Sequence, residues 1–437
     1  MSGSIDSIIT LSSYPRAIAH IDCDAFFASC EQAREPRLKK RPVATGKERG
    51  IVSCASYEAK SAGVKRGMRL FQAKQICPDL VILPSDYETY SVYSERLFEI
   101  IRRFSPSVEE FSIDEAYCDI TGLRRIYRTS YPGIAKKIKS EIEKELDIIV
   151  SVGLSLTKTL AKICSKHGKP DGFMVLPGYY LHEFLKNIPT ERVCGFGPNT
   201  VELLDKCGVK TVLDYISRPA DFAGKLLGKI GLELWHELRG KPVYELCLEA
   251  KEKYLSISKS KTFMPASNNK DFINGQLIRN LESAFIKLRR HHLSAAAITA
   301  YLRRSDFREY GIKAKLNRHS SSTLDFMEIC AELLDDIFDP ALFYRATGVI
   351  ISGIVAEGVD SRTLFDDPLR IEKISRIYKA IDEINEKFGK HTVHIAASNI
   401  AGIKIPHSRN DIAQRKQDLL RGETFRRRLK IPMLNLK

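Results

Sequence analysis

The sequence predicts an α+β protein built from several domains, and three observations carry that expectation. Residues 16 to 176 alternate strand-like and helix-like segments, residues 180 to 244 are short helices punctuated by glycine, and residues 255 to 355 run strand, helix, strand, strand, helix, strand. At 437 residues the chain exceeds what one ordinary core holds and suits roughly two to four domains.

AIAHIDCDAFF (17 to 27) is an apolar strand running into a turn or helix. GIVSCASYEAKSAGV (50 to 64) is a short strand of small residues leading into a helix. Residues 86 to 104 place Tyr90, Tyr93, Leu97, Ile100, Ile101 and Phe104 at helical spacing. VEEFSIDEAYCDIT (108 to 121) has the pattern of a β-hairpin around an acidic pair. A helix follows Pro132 to about Leu146, then a buried strand, IIVSVGLS (148 to 155), then a helix from Thr157.

Beyond 180 the texture changes. VCGFGPNTVELLDKCGV (193 to 209) sets a G-x-G turn between two helical patterns, and LGKIGLELWHELRG (227 to 240) loosely repeats it. The next six elements are strand 256 to 263, helix 271 to 290, strands 295 to 304 and 311 to 317, helix 323 to 338 and strand 345 to 355, a split βαβ order. Alternation in the middle pair turns Ile298, Ala300, Leu302, Ile312, Ala314 and Leu316 inward. It leaves Thr299, Tyr301, Arg303, Lys313, Lys315 and Asn317 on one open face, a basic surface suited to phosphates. A helix at 370 to 388 and a basic tail containing FRRRLK (425 to 430) end the chain.

Composition narrows the function classes. Net charge is +15, which favours a polyanionic partner, nucleic acid before membrane. No apolar run reaches the roughly 18 residues that cross a bilayer, and MSGSIDSIIT lacks a secretory n-region, so a cytoplasmic protein is expected. Ten cysteines stand singly with no CxxC, which reads as reduced core thiols and excludes a disulfide frame or zinc site.

Asp22 lies on one strand, and Asp114 and Glu115 at a hairpin more than ninety residues later. Adjacent antiparallel strands bring them together. Carboxylates that converge with no Lys or Arg beside them need a cation between them. Oxygen ligands without His or Cys favour Mg²⁺. A D-x-D plus D-E pattern is a weak signal alone, strengthened here by apolar flanks where a surface cluster has polar ones.

IDCDAFFASCE, SYEAKSAGVKRGM, FSIDEAYCDIT, VGLSLTKTLAKICSKHGKPDG and VCGFGPNT together resemble the Y-family translesion DNA polymerases, in the same order and at about the same spacings. The likeness runs from about Ala17 to at least Val355 and looks closest to the bacterial polymerase IV and polymerase V catalytic-subunit groups. RTLFDDP…IDEINEKFGKHTVHIAA is similar to the C-terminal stretch of the second group. The resemblance implies a right-hand polymerase with a βαβ-type palm (14 to 27 and 86 to 176), small fingers (28 to 85) and a helical helix-hairpin-helix thumb (177 to 244). A linker (245 to 254), a split-βαβ little finger (255 to 358), a C-terminal extension (359 to 405) and the basic tail (406 to 437) complete it.

The same resemblance implies the site. Asp22, Asp114 and Glu115 match the catalytic carboxylates that hold two Mg²⁺ ions, with the Cys23 carbonyl on the nucleotide-side ion; Asp24 matches a supporting position. Phe27 matches the steric gate against ribonucleotides, and Phe26 packs the loop that meets the triphosphate. Tyr57, Lys60 and Lys169 match phosphate-binding positions. Lys60 departs from the more usual arginine and lacks its planar fork, so weaker nucleotide binding is expected. The run from Ser53 to Ser56 roofs the nascent base pair with small side chains, which implies low fidelity, and no proofreading site is evident.

Primer-template DNA and dNTP are the implied partners of a monomer. Cys194, Gly195 and Gly197 match a helix-hairpin-helix turn on phosphate. Ser256, Ser258, Lys259, Ser260 and Lys261, with Arg303, are the expected little-finger contacts. Leu364 and Phe365 resemble a sliding-clamp peptide, although Ser361 replaces the usual glutamine; the rival reading is an anchor for the tail. Two other functions compete. A palm-type nucleotide cyclase leaves the thumb turn and basic sheet unexplained, and a catalytically silent DNA-binding scaffold predicts loss of a carboxylate that this chain retains.

Overall fold

A computed structural model describes residues 14 to 248, 254 to 358 and 367 to 402. The chain divides near residue 250 into two compact units.

The first unit is organised by β1 (Ile18–Cys23). All six of its residues are buried, so it lacks the polar alternation of a half-exposed strand. With β5 (Val108–Glu110), β6 (Glu115–Asp119), β7 (Val150–Ser155) and β8 (Phe173–Val175) it forms a sheet of order β5-β6-β1-β7-β8. Both neighbours of β1 are antiparallel to it. Ala19, Ile21 and Cys23 face a core completed by helices Tyr87–Arg102 and Tyr131–Leu146. The second of these starts one residue before Pro132 because Ser130 caps it, accepting from Gly133 N at 3.3 Å.

Ile18, His20 and Asp22 alternate to the opposite face, which helix Lys158–His167 covers. His20 Nδ1 lies 2.7 Å from Ser165 Oγ on that helix. Gly153, opposite His20 in the register, permits this close approach. A Cβ there would stand 2.2 Å from Ala161 O and 2.3 Å from Ser165 N.

A three-stranded sheet of order β3-β2-β4 stands beside this layer, from β2 (Val43–Thr45), β3 (Cys54–Ala55) and β4 (Val81–Leu83). Its core is mostly small: Ala44, Val52, Ala55, Ala59, Val64 and Ala73. The short strand expected at the start of 50 to 64 is two residues long, with an isolated bridge from Ile51 to Arg69. The glycine-punctuated region forms short helices around Leu185, Leu204, Tyr215 and Leu234. Helix Ala220–Leu238 is broken at Gly228 (φ 66°, ψ −156°).

Residues 243 to 247, which span the expected start of the linker at 245, are fastened to the first unit. Val243 N and Tyr244 N donate to Glu237 Oε1 (2.7 and 3.0 Å), Cys247 N donates to Glu109 Oε2 (3.0 Å), and Arg16 pairs with Glu245 (2.9 Å).

The second unit contains β9 (Ser256–Ser267), helix Lys270–Arg290, β10 (Leu293–Arg304), β11 (Glu309–Ser320), helix Leu324–Ile337 and β12 (Tyr344–Ala356). The sheet order is β11-β10-β12-β9, every pair antiparallel. Each βαβ crossover therefore spans one intervening strand, and β11 is an edge strand with β10 and β12 central. Helix Pro368–Phe388 and the turn Ala396–Gly402 belong to this unit. Arg289 grips Asp382 with two bonds (2.6 and 2.9 Å), and Glu282 accepts from Ile395 N (2.6 Å) and Ser398 Oγ (2.7 Å). Among the described residues no helix is long and apolar enough to cross a membrane.

Candidate active site

The β1–β6 register sets Asp22 opposite Glu115, and Cys23 N donates to Asp114 O at 2.9 Å. Carboxylates from distant parts of the chain thus meet at one end of the central strand. Asp22 is buried, and burial pushes its carboxyl up to about 7 against the pull of Lys169, with Glu115 pushing the same way. Burial also acts upward on Glu115, but the hydrogen bond and charge of Lys162 outweigh it and the net shift is downward. Asp114 sits in the hairpin turn, its carboxylate accepting from Ser112 Oγ.

The expectation that no lysine accompanies these groups is overturned. Helix Lys158–His167 covers the face that carries Asp22 and Glu115, so its Lys162 Nζ donates to Glu115 Oε2 at 2.6 Å. Lys169, in the loop after that helix, rests on Asp22 and stands 3.3 Å from Asp24 Oδ1. Among the described residues no group of three or more His, Cys, Asp or Glu is arranged so as to hold a metal ion as it stands. The donor set nevertheless fits a hard divalent cation. It is all oxygen, it holds a desolvated carboxylate above its ordinary range, and it has already drawn a positive charge onto itself.

Asp24 does different work. Its carboxylate accepts from Ser151 Oγ (3.0 Å) and Asp171 N (2.7 Å), tying the GKPDG loop to β1 and β7. Cys23 faces the core, so only its main chain is available to a ligand.

Ala25, with φ 48°, turns the chain from β1 into helix Phe26–Arg34. Phe26 is buried in the core, leaving its main chain alone to meet a nucleotide. Phe27 is half-buried and stacked on Tyr90, with centroids 4.5 Å and planes 14° apart, while Tyr87 meets its edge at 5.5 Å. Tyr90 OH donates to buried Glu31 Oε1 at 2.7 Å. The sequence reading missed this support, although Tyr87 and Tyr90 share a helix face.

Tyr57 and Lys60 occupy helix Tyr57–Ser61, with Lys60 Nζ 4.0 Å from the Tyr57 ring centroid. Burial raises the Tyr57 phenol to about 12, with Asp24 adding to the rise and Lys169 opposing it. Ser53 Oγ is buried without a hydrogen-bond partner among the described residues, near the site a Gly46 Cβ would fill.

Cys194 is exposed, Gly195 has φ 111°, and Gly197 precedes helix Pro198–Lys206 with open space at its Cα. Phe196 anchors the turn edge-on to Tyr215 at 5.1 Å. Two of the expected contacts on the second sheet have definite surroundings. Arg303 is paired with Glu309 across the hairpin, so its guanidinium is already engaged. In β9, Ser258 lies opposite Ile350, whereas Lys259 and Lys261 lie opposite the buried Val349 and Thr347. Strand alternation therefore sends Ser256, Ser258 and Ser260 to the open face and both lysines to the helix side. Leu364 and Phe365 lie outside the described residues.

Residues 21 to 166 match the model of the impB/mucB/samB family, and residues 255 to 364 match that of the same family's C-terminal domain. The chain is 30% identical over 379 residues to a DNA polymerase IV of Caulobacter vibrioides, covering 86% of this chain and 93% of that one. It is 34% identical over 358 residues to a DNA polymerase IV of Lactococcus lactis subsp. cremoris, covering 80% and 96%. Among solved structures, a Y-family DNA polymerase chimera of Dbh and Dpo4 matches with TM-score 0.66 and 25% identity, over 78% of this chain and all of that one. An insertion ternary complex of Dbh DNA polymerase matches over the same shares with TM-score 0.51 and 25% identity.

Proposed function

Because the chain belongs to the impB/mucB/samB family, that of the Y-family translesion polymerases of the polymerase IV type, we propose that it adds dNTPs to a primer 3′-hydroxyl with low fidelity, in DNA damage tolerance. The observation that carries this reading is the pairing of Asp22 with Glu115 across β1 and β6, with Asp114 on the adjoining turn. Neither the cyclase nor the silent scaffold is favoured beside polymerase relatives that cover 86% of the chain.

In this reading the sheet around β1 is the palm, the β2–β4 layer the fingers, the glycine-punctuated helices the thumb and the second unit the little finger. Asp22, Asp114, Glu115 and the Cys23 carbonyl hold two Mg²⁺ ions. When bound, such a pair lowers the pKa of the primer hydroxyl and neutralises the leaving pyrophosphate. Lys169 gives up its place on Asp22 and follows the negative charge of the triphosphate, where Tyr57 and Lys60 join it. Asp24 keeps the loop of Lys169 on the sheet. Phe27, braced by Tyr90, excludes a 2′-hydroxyl. The turn at Cys194, Gly195 and Gly197 and the serines of β9 hold backbone phosphates. The protein acts as a cytoplasmic monomer, with Leu364 and Phe365 as its contact to a sliding clamp.

Single-nucleotide extension on four templates that differ in the first unpaired base tests the function. Incorporation that follows the template supports it; none in Mg²⁺ or Mn²⁺ contradicts it. Lys60→Arg is expected to lower the apparent dNTP KM several-fold, since guanidinium adds a bidentate phosphate contact. An unchanged or higher KM in steady-state extension counts against that role.

A further inference from the structure

A cavity of about 650 Å³ opens on the helix side of the second unit, where β9, helix Lys270–Arg290 and residues 390 to 401 meet. Lys259 and Lys261 enter it from the strand and Lys390 from the extension. Among the described residues none of these three lysines has a carboxylate within ion-pair distance. Arg279 adds a fourth cation, its Nη2 donating to Ser398 O at 2.9 Å. Partial burial and the like charges of Lys259, Arg290 and Arg279 lower the pKa of Lys390, although Arg279 also lies 3.9 Å from Glu282 Oε2. Most of the remaining lining residues are polar, including Ser260, Gln276, Asn280 and Asn399, with Ala401 among them.

β9 is an edge strand. Its serines face one side of the sheet and its lysines the other, so a chain of phosphates running along that edge meets both sets. We propose that docking of the extension completes a second phosphate site here, which grips the backbone of a nucleic-acid strand passing along β9. The extension is then part of the DNA footprint and more than a structural anchor. This inference rests on the polymerase reading.

The test measures primer-template affinity of the full-length protein by fluorescence anisotropy across a salt series. Each lost phosphate contact flattens the slope of log K against log salt by about 0.9, which is about eightfold in affinity at 0.1 M salt. Lys390→Ala is expected to show that loss, and Lys390→Arg to retain the parent slope. The Lys390 side chain makes no ion pair among the described residues, so thermal melting should be unchanged. The double variant Lys313→Ala, Lys315→Ala on the open face separates the two readings. If it weakens binding while Lys390→Ala does not, the second site is wrong and the DNA-binding reading stands. If neither changes the slope, both are wrong. If Lys390→Ala abolishes binding of inorganic phosphate, followed by NMR, but leaves DNA affinity intact, the cavity takes small anions and the strand proposal is overturned.

Discussion

Asp114→Ala is expected to reduce the single-turnover rate of primer extension by about a thousandfold or more, while leaving primer-template affinity and thermal stability near those of the parent. Removing one carboxylate from a two-ion site costs several kcal/mol of transition-state stabilisation, and each 1.4 kcal/mol is about tenfold. Asp114 is the cleanest of the three positions to test. It is half-buried on a turn and its side chain touches Ser112. Asp22, in contrast, is buried and bears Lys169, so its loss leaves a cation stranded and confuses activity with folding. Rapid-quench extension beside a binding isotherm and a melting curve checks the expectation. An Asp114→Ala protein within tenfold of the parent rate contradicts the assignment.

Phe27→Ala is expected to lower the ratio of kcat/KM for dNTP over the matching ribonucleotide by about two orders of magnitude. Selection by exclusion depends on a wall that does not yield. Here the ring is stacked on Tyr90 and closed at its edge by Tyr87, and Glu31 fixes the hydroxyl of Tyr90. Deleting the ring also removes half-buried apolar area, costing about 2 to 3 kcal/mol of stability. The ratio of the two substrates, measured on one preparation, is therefore the informative quantity. An unchanged ratio removes Phe27 from the role of gate.

Features set by local pattern were legible in the sequence. Apolar flanks around Asp22 and around Asp114 and Glu115 announced buried strands, and the antiparallel pairing expected to bring them together is the one the fold has. The β-α-β-β-α-β order followed from periodicity alone. Features set by how one layer lies on another were not. Lys162 belongs to a helix whose periodicity shows an apolar face, yet only its placement over β1 and β6 brings its amine to Glu115. The pairing of Arg303 with Glu309 depends on a hairpin register that composition does not fix. The embrace of helix Lys270–Arg290 by the extension joins Arg289 to Asp382, 93 residues away. The faces of the β9 lysines were also legible. Ile257 and Phe263 share the parity of Lys259 and Lys261 in SISKSKTF, so strand alternation already placed those lysines on the helix side.

The central claim is that Asp22 and Glu115 exchange their lysine partners, Lys169 and Lys162, for divalent cations that Asp114 also holds when nucleotide and DNA arrive. Its most direct test is a crystal structure of the full chain with primer-template, a non-hydrolysable dNTP and Mn²⁺, read by anomalous scattering. Two peaks touching the three carboxylates and the Cys23 carbonyl, with Lys169 moved from Asp22 to the phosphates, are the expected result. Lys169 and Lys162 still seated on Asp22 and Glu115, with the metal bound elsewhere, would contradict it.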